Sequence, residues 1–314
     1  MIMLHARYHL NSGAQKLLYF LDMPERYSSE EIELLSGNVK VVRCDRAYWD
    51  SLGGKPSKIT LRQIINLQYA RKIQNSEWIL HIDIDEFLHR PSLGFNDIFH
   101  LTPEISEFRI ENVERVLVHD EETWIDGYLR VKTSDSKLLT KHYGPKAQFF
   151  GLGMSNYFHG KSLVKNRSGI KQNIHGATHE DAQREIIRYE LSRKNAVIIH
   201  YACITPSHFA SRYLEFLKDG RKYNIAEFQY QQNFRSYLFD ESRRLGARHA
   251  IIKSVRELHY CSHEQAAMRL EDGLYERIPQ EFITRLTESA LDILNINLIW
   301  ADKSFAQFHG LASG

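Results

Sequence analysis

Three carboxylates, Asp83, Asp85 and Glu86, fall within four positions near the end of a mostly apolar stretch that runs from Trp78 to Leu88. Ile79, Leu80, Ile82 and Ile84 give that stretch the pattern of a buried strand. Carboxylates crowded in this way repel one another, and each one left unpaired in a dry interior costs roughly several kcal/mol. A strand that carries such a load to its end is usually delivering it to a cation. Residues two apart on an extended strand share a face, so Asp83 and Asp85 are expected side by side. Such a pair suits a hard divalent ion held by one or two carboxylates and completed by a substrate phosphate. The bland alternative is a solvated strand end carrying surface acids.

The string Trp78-Ile-Leu-His-Ile-Asp-Ile-Asp-Glu-Phe-Leu88 resembles the Asp-X-Asp-Glu-Phe segment of family-2-like glycosyltransferases of the GT-A fold. Asp-X-Asp alone occurs by chance in many chains. The longer string, with its tryptophan and apolar lead, is much more specific. The resemblance extends roughly from Leu4 to Lys218. It implies an α/β fold: a GT-A-like nucleotide-sugar-binding sheet flanked by helices over residues 1–205, followed by a helical extension over 206–314. It also implies transfer of a sugar from a nucleotide-sugar donor to a glycan or other hydroxyl acceptor, with Mn2+ or Mg2+ on the diphosphate as cofactor.

Residue by residue, the resemblance makes Asp85 the direct metal ligand. Asp83 would hold the ribose, or the metal through water, and Glu86 would orient the metal shell or a neighbouring strand. Gly160-Lys-Ser-Leu-Val-Lys165 and Gly169-Ile-Lys-Gln-Asn-Ile-His175-Gly176 look like a paired strand unit of the same family. There a histidine after the Asp-X-Asp commonly supplies the last protein ligand to the metal. His175 is the first candidate and His200, which ends the apolar run from Ala196, is the second; for each, a polar cap on a strand end is an equal alternative. Lys161 would neutralise diphosphate charge or simply be exposed. The inverting reaction of the family also needs a carboxylate base. Asp126, Glu111 and Glu180 are the candidates, and nothing in the sequence separates them.

One departure from the family stands out. Its domain normally begins with a strand that precedes the first helix and helps to bind the nucleotide base, whereas this chain opens at the helix equivalent. An exposed sheet edge or an unfilled slot is therefore expected beside the strand of Lys16–Leu21.

The elements that must position these residues read as an alternation. A helix is expected over Met1–Asn11, with Leu4 and Tyr8 on one face and Gly13 ending it. Strands follow at Lys16–Leu21 and Val39–Arg43, with a helix at Ser28–Leu35 between them. Thr60-Leu-Arg-Gln63 has the form of a capping box, opening a helix with the stripe Leu61, Ile64, Ile65, Tyr69 and Ile73. Helix–strand alternation at these spacings predicts a parallel sheet with its ligands at the carboxyl ends of the strands. Pro91–His100 reads as a loop and short helix, Ile105–Val118 as strand paired with Trp124–Val131, and Ser134–Phe150 as a basic loop. Helices are expected from Thr205 to Gly220, Asn224 to Leu245, His263 to Leu270 and Pro279 to Leu294.

Composition limits the other classes. Of 314 residues, 41 are basic and 39 acidic, so the net charge of +2 gives no global electrostatic case for nucleic acid. No apolar run approaches the ~20 residues that span a bilayer. Met1–Leu21 lacks the continuous apolar core of a signal peptide. Cys44, Cys203 and Cys261 are odd in number and far apart, which fits free thiols in a reducing, cytoplasmic setting. Two further classes share the same carboxylates: a metal-dependent phosphoesterase, and a glycosyltransferase-like protein that binds without turnover.

Overall fold

A computed structural model describes residues 2–27, 38–90, 104–118, 125–202, 213–214, 217 and 228–290. The helix expected over 28–35, the loop and short helix over 91–100, most of the helix from Thr205 and the boundary expected at residue 205 lie outside the described residues. The architecture is mixed α/β, with several sheets flanked by helices.

In chain order the elements begin with α1 (Ile2–Asn11), β1 (Leu17–Leu21), β2 (Val39–Arg43), α2 (Arg46–Ser51) and α3 (Ile59–Ile73). Six strands follow: β3 (Trp78–Leu80), β4 (Glu86–His89), β5 (Glu107–Ile110), β6 (Asn112–Val118) and β7 (Tyr128–Arg130), then, after α4 (Ser136–Tyr143), β8 (Lys161–Lys165). Next come β9 (Ile170–Gln172), β10 (Ala177–His179), β11 (Arg188–Leu191) and β12 (Val197–His200). The last part holds α5 (Gln229–Leu245), α6 (Ala247–His259), β13 (Tyr260–Cys261), α7 (His263–Glu271), β14 (Tyr275–Arg277) and α8 (Gln280–Ala290). The chain divides into two compact units that alternate along the sequence: 1–112 with 159–198 and 288–293, and 113–158 with 199–287 and 294–314.

The first unit carries the acidic stretch. β1 and β2 form a two-stranded parallel sheet, as the alternation predicts. A separate four-stranded sheet runs β11-β5-β8-β3, in which only β11 and β5 are parallel. β8 lies between β3 and β5 and is antiparallel to both. The all-parallel expectation therefore fails here. The paired unit expected from 160–165 and 169–176 is also replaced, because β8 is taken up by β3 and β5 while β9 pairs with β10. Phe108, Ile110, Leu163, Leu191, Ala196 and Ile198 form this unit's core, with Trp78 and Leu80 packed against it.

Helix α1 buries Leu4 and Tyr8 as its stripe requires, and Gly13, at φ 90°, turns the chain out of it. Its inner face encloses Phe87 of β4 between His5, Tyr8 and His9. Helix α3 departs from expectation. It begins at Ile59 without a side-chain cap and buries Asn66, Leu67 and Ala70, leaving Leu61 47% exposed. The capping box does not form because Thr60 already lies inside the first turn.

The second unit is built on β6, β7 and β14, antiparallel in that order, with β13 parallel to the end of β6. Its core includes a buried pair, Arg130 to Glu114 at 3.2 Å. The backbone N–H groups of Ser155 and Asn156 also donate to Glu114. The segment expected as a basic loop is instead α4 followed by a 3-10 helix over Gly144–Phe149. Asp135 caps α4 by accepting from the Leu138 N–H, which offsets the poor apolar pattern. Helix α5 ends at Gly246 as read from the sequence; α6, directly after it, was not anticipated.

Candidate functional site

The acidic stretch is not one strand. β3 stops at Leu80, Ile84 and Asp85 occupy a turn, and β4 starts at Glu86. The Glu86 N–H donates to the Asp83 carbonyl at 3.1 Å, and the Asp83 N–H donates to Glu86 Oε2 at 2.7 Å. These reciprocal bonds close a turn, so Asp83 and Asp85 do not share a strand face. Ile82 and Ile84 continue the apolar alternation, which is why the sequence reads as unbroken strand.

Sheet register explains what meets the turn. β3 and β8 run antiparallel with Leu80 opposite Leu163. Extending that register past Leu80 brings Lys161 level with Ile82, next to Asp83. The Lys161 ammonium lies 2.9 Å from Asp83 Oδ2 and 3.0 Å from Glu86 Oε2. The Lys161 and Glu86 side chains are 0% exposed, and Asp83 is 38% exposed. Gln63, from α3, donates to the other oxygen, Asp83 Oδ1, at 2.8 Å. Burial alone would raise the Asp83 carboxyl, but Lys161 and His81 hold it below its ordinary value. Burial would lower the Lys161 ammonium, but Glu86 and Asp83 together raise it. Both groups are therefore charged at neutral pH.

Gly160 fixes where Lys161 begins. Its φ is 69°, and a Cβ there would sit 2.1 Å from the Ile110 carbonyl oxygen, so only glycine permits the approach of β8 to β5. Asp85 is 8% exposed, and its charge is felt at His5 on α1.

His175 sits in the turn between β9 and β10. Its Nδ1 lies 3.0 Å from the Gly160 carbonyl, which can only accept, so Nδ1 carries the proton and Nε2 is the acceptor. Burial first, then Lys161, lowers its pKa to about 4, and His81 is lowered to about 4 for the same two reasons. Both rings are neutral at pH 7. His175 lines a cleft of about 380 Å3 with Ile64, Arg109, Gly176 and Arg188. Arg109 Nη2 donates to the His175 carbonyl at 3.3 Å, and Arg188 pairs with buried Glu107 at 2.9 Å. A second cleft of about 250 Å3 opens at the carboxyl ends of β1 and β2, lined by Asp22, Cys44, Asp45, Arg46 and Lys55.

The structure thus brings Asp83, Glu86 and Lys161 into direct contact and sets His175 within their electrostatic reach. His200 belongs to the second unit, where it is buried with its ring 5.3 Å from Tyr157. Among the candidate bases, Asp126 also lies in the second unit and accepts from the Gly127 N–H. Glu111 faces Arg193 at 4.0 Å, and Glu180 is exposed. From sequence Gln63 has only a capping role, whereas in the structure it holds Asp83, and no site role is marked for His81, Arg109 or Arg188. The register of β3 on β8 is the signal that ties His81 to Lys161, and no sequence periodicity reveals it.

A divalent Mn2+ or Mg2+ wants several oxygen donors in near-octahedral array. Here both Asp83 oxygens are engaged, and Glu86 Oε2 is shared by Lys161 and the Asp83 N–H. His81 Nδ1 is buried without a hydrogen-bond partner, but one such nitrogen falls short of the set required. Among the described residues no group of three or more His, Cys, Asp or Glu side chains is arranged to hold a metal ion. As arranged, Asp83 and Glu86 Oε2 are held by the chain's own donors and do not by themselves supply the oxygen set of a divalent ion. Among the described residues no helix is long and apolar enough to cross a membrane. Compared with known proteins, the chain matches no protein-family model and no curated protein.

Proposed function

We propose that this chain is a glycosyltransferase of the GT-A type that binds a nucleotide-sugar and transfers its sugar to an acceptor hydroxyl. The observation that carries the reading is the turn of Asp83–Glu86 at the carboxyl end of β3, with the cleft of His175, Arg109 and Arg188 in the same unit. Ligands of parallel α/β sheets bind at the carboxyl ends of strands, and in this unit the rule applies to the parallel pair β1–β2, since β3 is antiparallel to β8. The second cleft lies at the carboxyl ends of β1 and β2, and its Asp22 and Asp45 suit ribose hydroxyls.

In the reaction the acceptor oxygen bonds to the anomeric carbon while the bond from that carbon to the phosphate oxygen breaks. The electron pair leaves with the nucleoside diphosphate, and the acceptor proton passes to a carboxylate base. Cationic side chains aimed at the leaving diphosphate stabilise its developing charge, and Arg109 and Arg188 are the candidates. Asp83, held by Gln63 and Lys161, is positioned to orient the ribose or the sugar.

A second reading keeps the binding and drops the turnover. It is favoured by Asp83, whose two oxygens are already engaged. One assay separates the two: a panel of nucleotide-sugars is incubated with and without hydroxyl acceptors, in Mn2+ and in EDTA, and nucleoside diphosphate release is followed. Acceptor-dependent release supports transfer, and saturable binding without release supports the second reading. Cleavage of simple phosphate esters instead would point to a phosphoesterase, and no binding at all would overturn both readings.

A further inference from the structure

We infer that the Lys161 ammonium is the built-in cation of the acidic turn, standing where a divalent metal would otherwise stand, and that the site works without one. Three observations carry this. The ammonium touches two of the three clustered carboxylates, at 2.9 and 3.0 Å, from a side chain with no solvent exposure. Its place is set by the fold, because the β3–β8 register and the close approach of Gly160 to Ile110 together deliver the start of β8 to the turn. Finally, the cleft that holds His175 is lined by two arginines of the chain's own, Arg109 and Arg188, which share the buried Glu107 as partner and so leave part of their positive charge for a diphosphate.

The chemistry is economical. Clustered carboxylates need a counter-charge whether or not substrate is bound, because each unpaired buried ion is strongly destabilising. A divalent metal supplies that charge only when present and couples folding to its concentration. A lysine on a strand supplies it permanently. Lys161 is then a positioning residue: it holds Asp83 and the turn in place, and the arginines meet the phosphates.

The test begins with thermal unfolding in millimolar Mn2+ or in EDTA, for wild type, Asp83→Asn, Lys161→Ala and the double variant Lys161→Ala/Asp83→Asn. The quantity read is the Mn2+-induced shift that depends on Asp83. It should be absent in wild type and should appear in Lys161→Ala, as a rise of about 2–4 °C or more. If Lys161→Ala does not fold in EDTA, refolding in Mn2+ is the measurement, and recovery of its circular dichroism supports the inference. An Asp83-dependent shift in wild type overturns it. So does a Lys161→Ala protein that gains neither stability nor folding from Mn2+.

The extension to substrate rests on the proposed nucleotide-sugar reading and has its own readout. Calorimetric titration of nucleoside diphosphates into wild type should give the same affinity in EDTA and in Mn2+. Loss of about tenfold or more in EDTA overturns the inference and leaves the functional reading standing. If no nucleoside diphosphate binds in either condition, the functional reading falls, while the thermal series still decides the question of the cation.

Discussion

Lys161 on β8 and Glu86 at the start of β4 are joined at 3.0 Å with neither side chain exposed to solvent. Glu86 Oε2 also accepts from the Asp83 N–H, so one carboxylate holds both the ammonium and the turn. Removing one partner of a buried ion pair leaves the other uncompensated, which typically costs about 3–5 kcal/mol. Glu86→Ala should therefore lower stability by that order in urea unfolding. Glu86→Gln, which keeps an oxygen for the Asp83 N–H, should cost less. Equal losses in the two variants would mean that the lost charge dominates and the turn bond contributes little.

Gly160→Ala should be as damaging by a different route. The added methyl meets backbone, the Ile110 carbonyl oxygen, at a φ that side chains rarely adopt. β8 must then shift, carrying Lys161 away from the turn. The expected result is a lower melting point together with weaker nucleoside diphosphate binding. A variant with normal stability and normal affinity would show that the placement of Lys161 tolerates the shift.

A pH dependence follows from α1. His5 Nε2 lies 3.0 Å from the Glu86 carbonyl, which can only accept, so Nε2 is protonated and Nδ1 accepts from the Tyr19 hydroxyl at 2.6 Å. The neutral ring satisfies both neighbours. Burial lowers the His5 pKa to about 4 from 6.5. His9, stacked on Phe87, is also held down, first by burial and then by His5. The unfolded chain takes up these protons near pH 6.5 and the folded one does not. Stability from this source is full above pH 6.5 and is lost as pH falls toward 4, on the order of 3 kcal/mol for His5. His5→Gln should flatten that limb of the stability curve. An unchanged acid limb in the variant would assign the loss to other groups.

The two histidines marked for the site should separate cleanly. His175→Ala should weaken nucleoside diphosphate binding by about tenfold, because the ring lines the cleft and its Nδ1–H donates to the Gly160 carbonyl beside Lys161. His200→Ala should leave that affinity unchanged and reduce stability, since His200 is buried against Tyr157 in the second unit. Calorimetric titration of both variants decides it. If only His200→Ala lost binding, the assignment would have to be exchanged.

What could be read in advance divides along physical lines. Val39–Arg43 and the run ending at Leu21 declare themselves because a short β-branched or apolar run bounded by turn residues has few alternatives. The helix of residues 2–11 is legible from Leu4, Tyr8 and Gly13 for the same reason. The acidic stretch is legible as chemistry but not as geometry. Its residue types announce clustered charge, yet the turn depends on Glu86 reaching back to the Asp83 backbone, a side-chain bond that breaks no pattern. Lys161 could be named, but its partners follow from a strand pairing between residues far apart in sequence, which no local rule reports. In α3 the misread face has a simple cause: Asn66 is buried because it accepts from the Tyr48 hydroxyl, so a polar residue stands where the apolar stripe should run.

The last expectation concerns the edges of the two sheets in the first unit. Among the described residues, β1 pairs only with β2 and β3 pairs only with β8, whereas β8 and β5 each have strands on both sides. β1 is the strand expected beside an unfilled slot, and β3 is a second edge. Burial follows the same division, since β3 and all of β1 except Leu21 are half-buried while Lys161–Val164 are fully buried. An amide on an unpaired edge exchanges without any opening of the sheet, and one inside the ladder waits for local unfolding. Hydrogen exchange followed by mass spectrometry should therefore find residues 17–21 and 78–80 exchanging about tenfold or more faster than residues 107–110 and 161–165. An isolated extended peptide with alternating β-branched residues should slow exchange at 17–21 and 78–80 if it adds to either edge, and should leave 107–110 unaffected. Equal protection across all four segments would mean that both edges are already completed by another strand, and the slot would have to be given up.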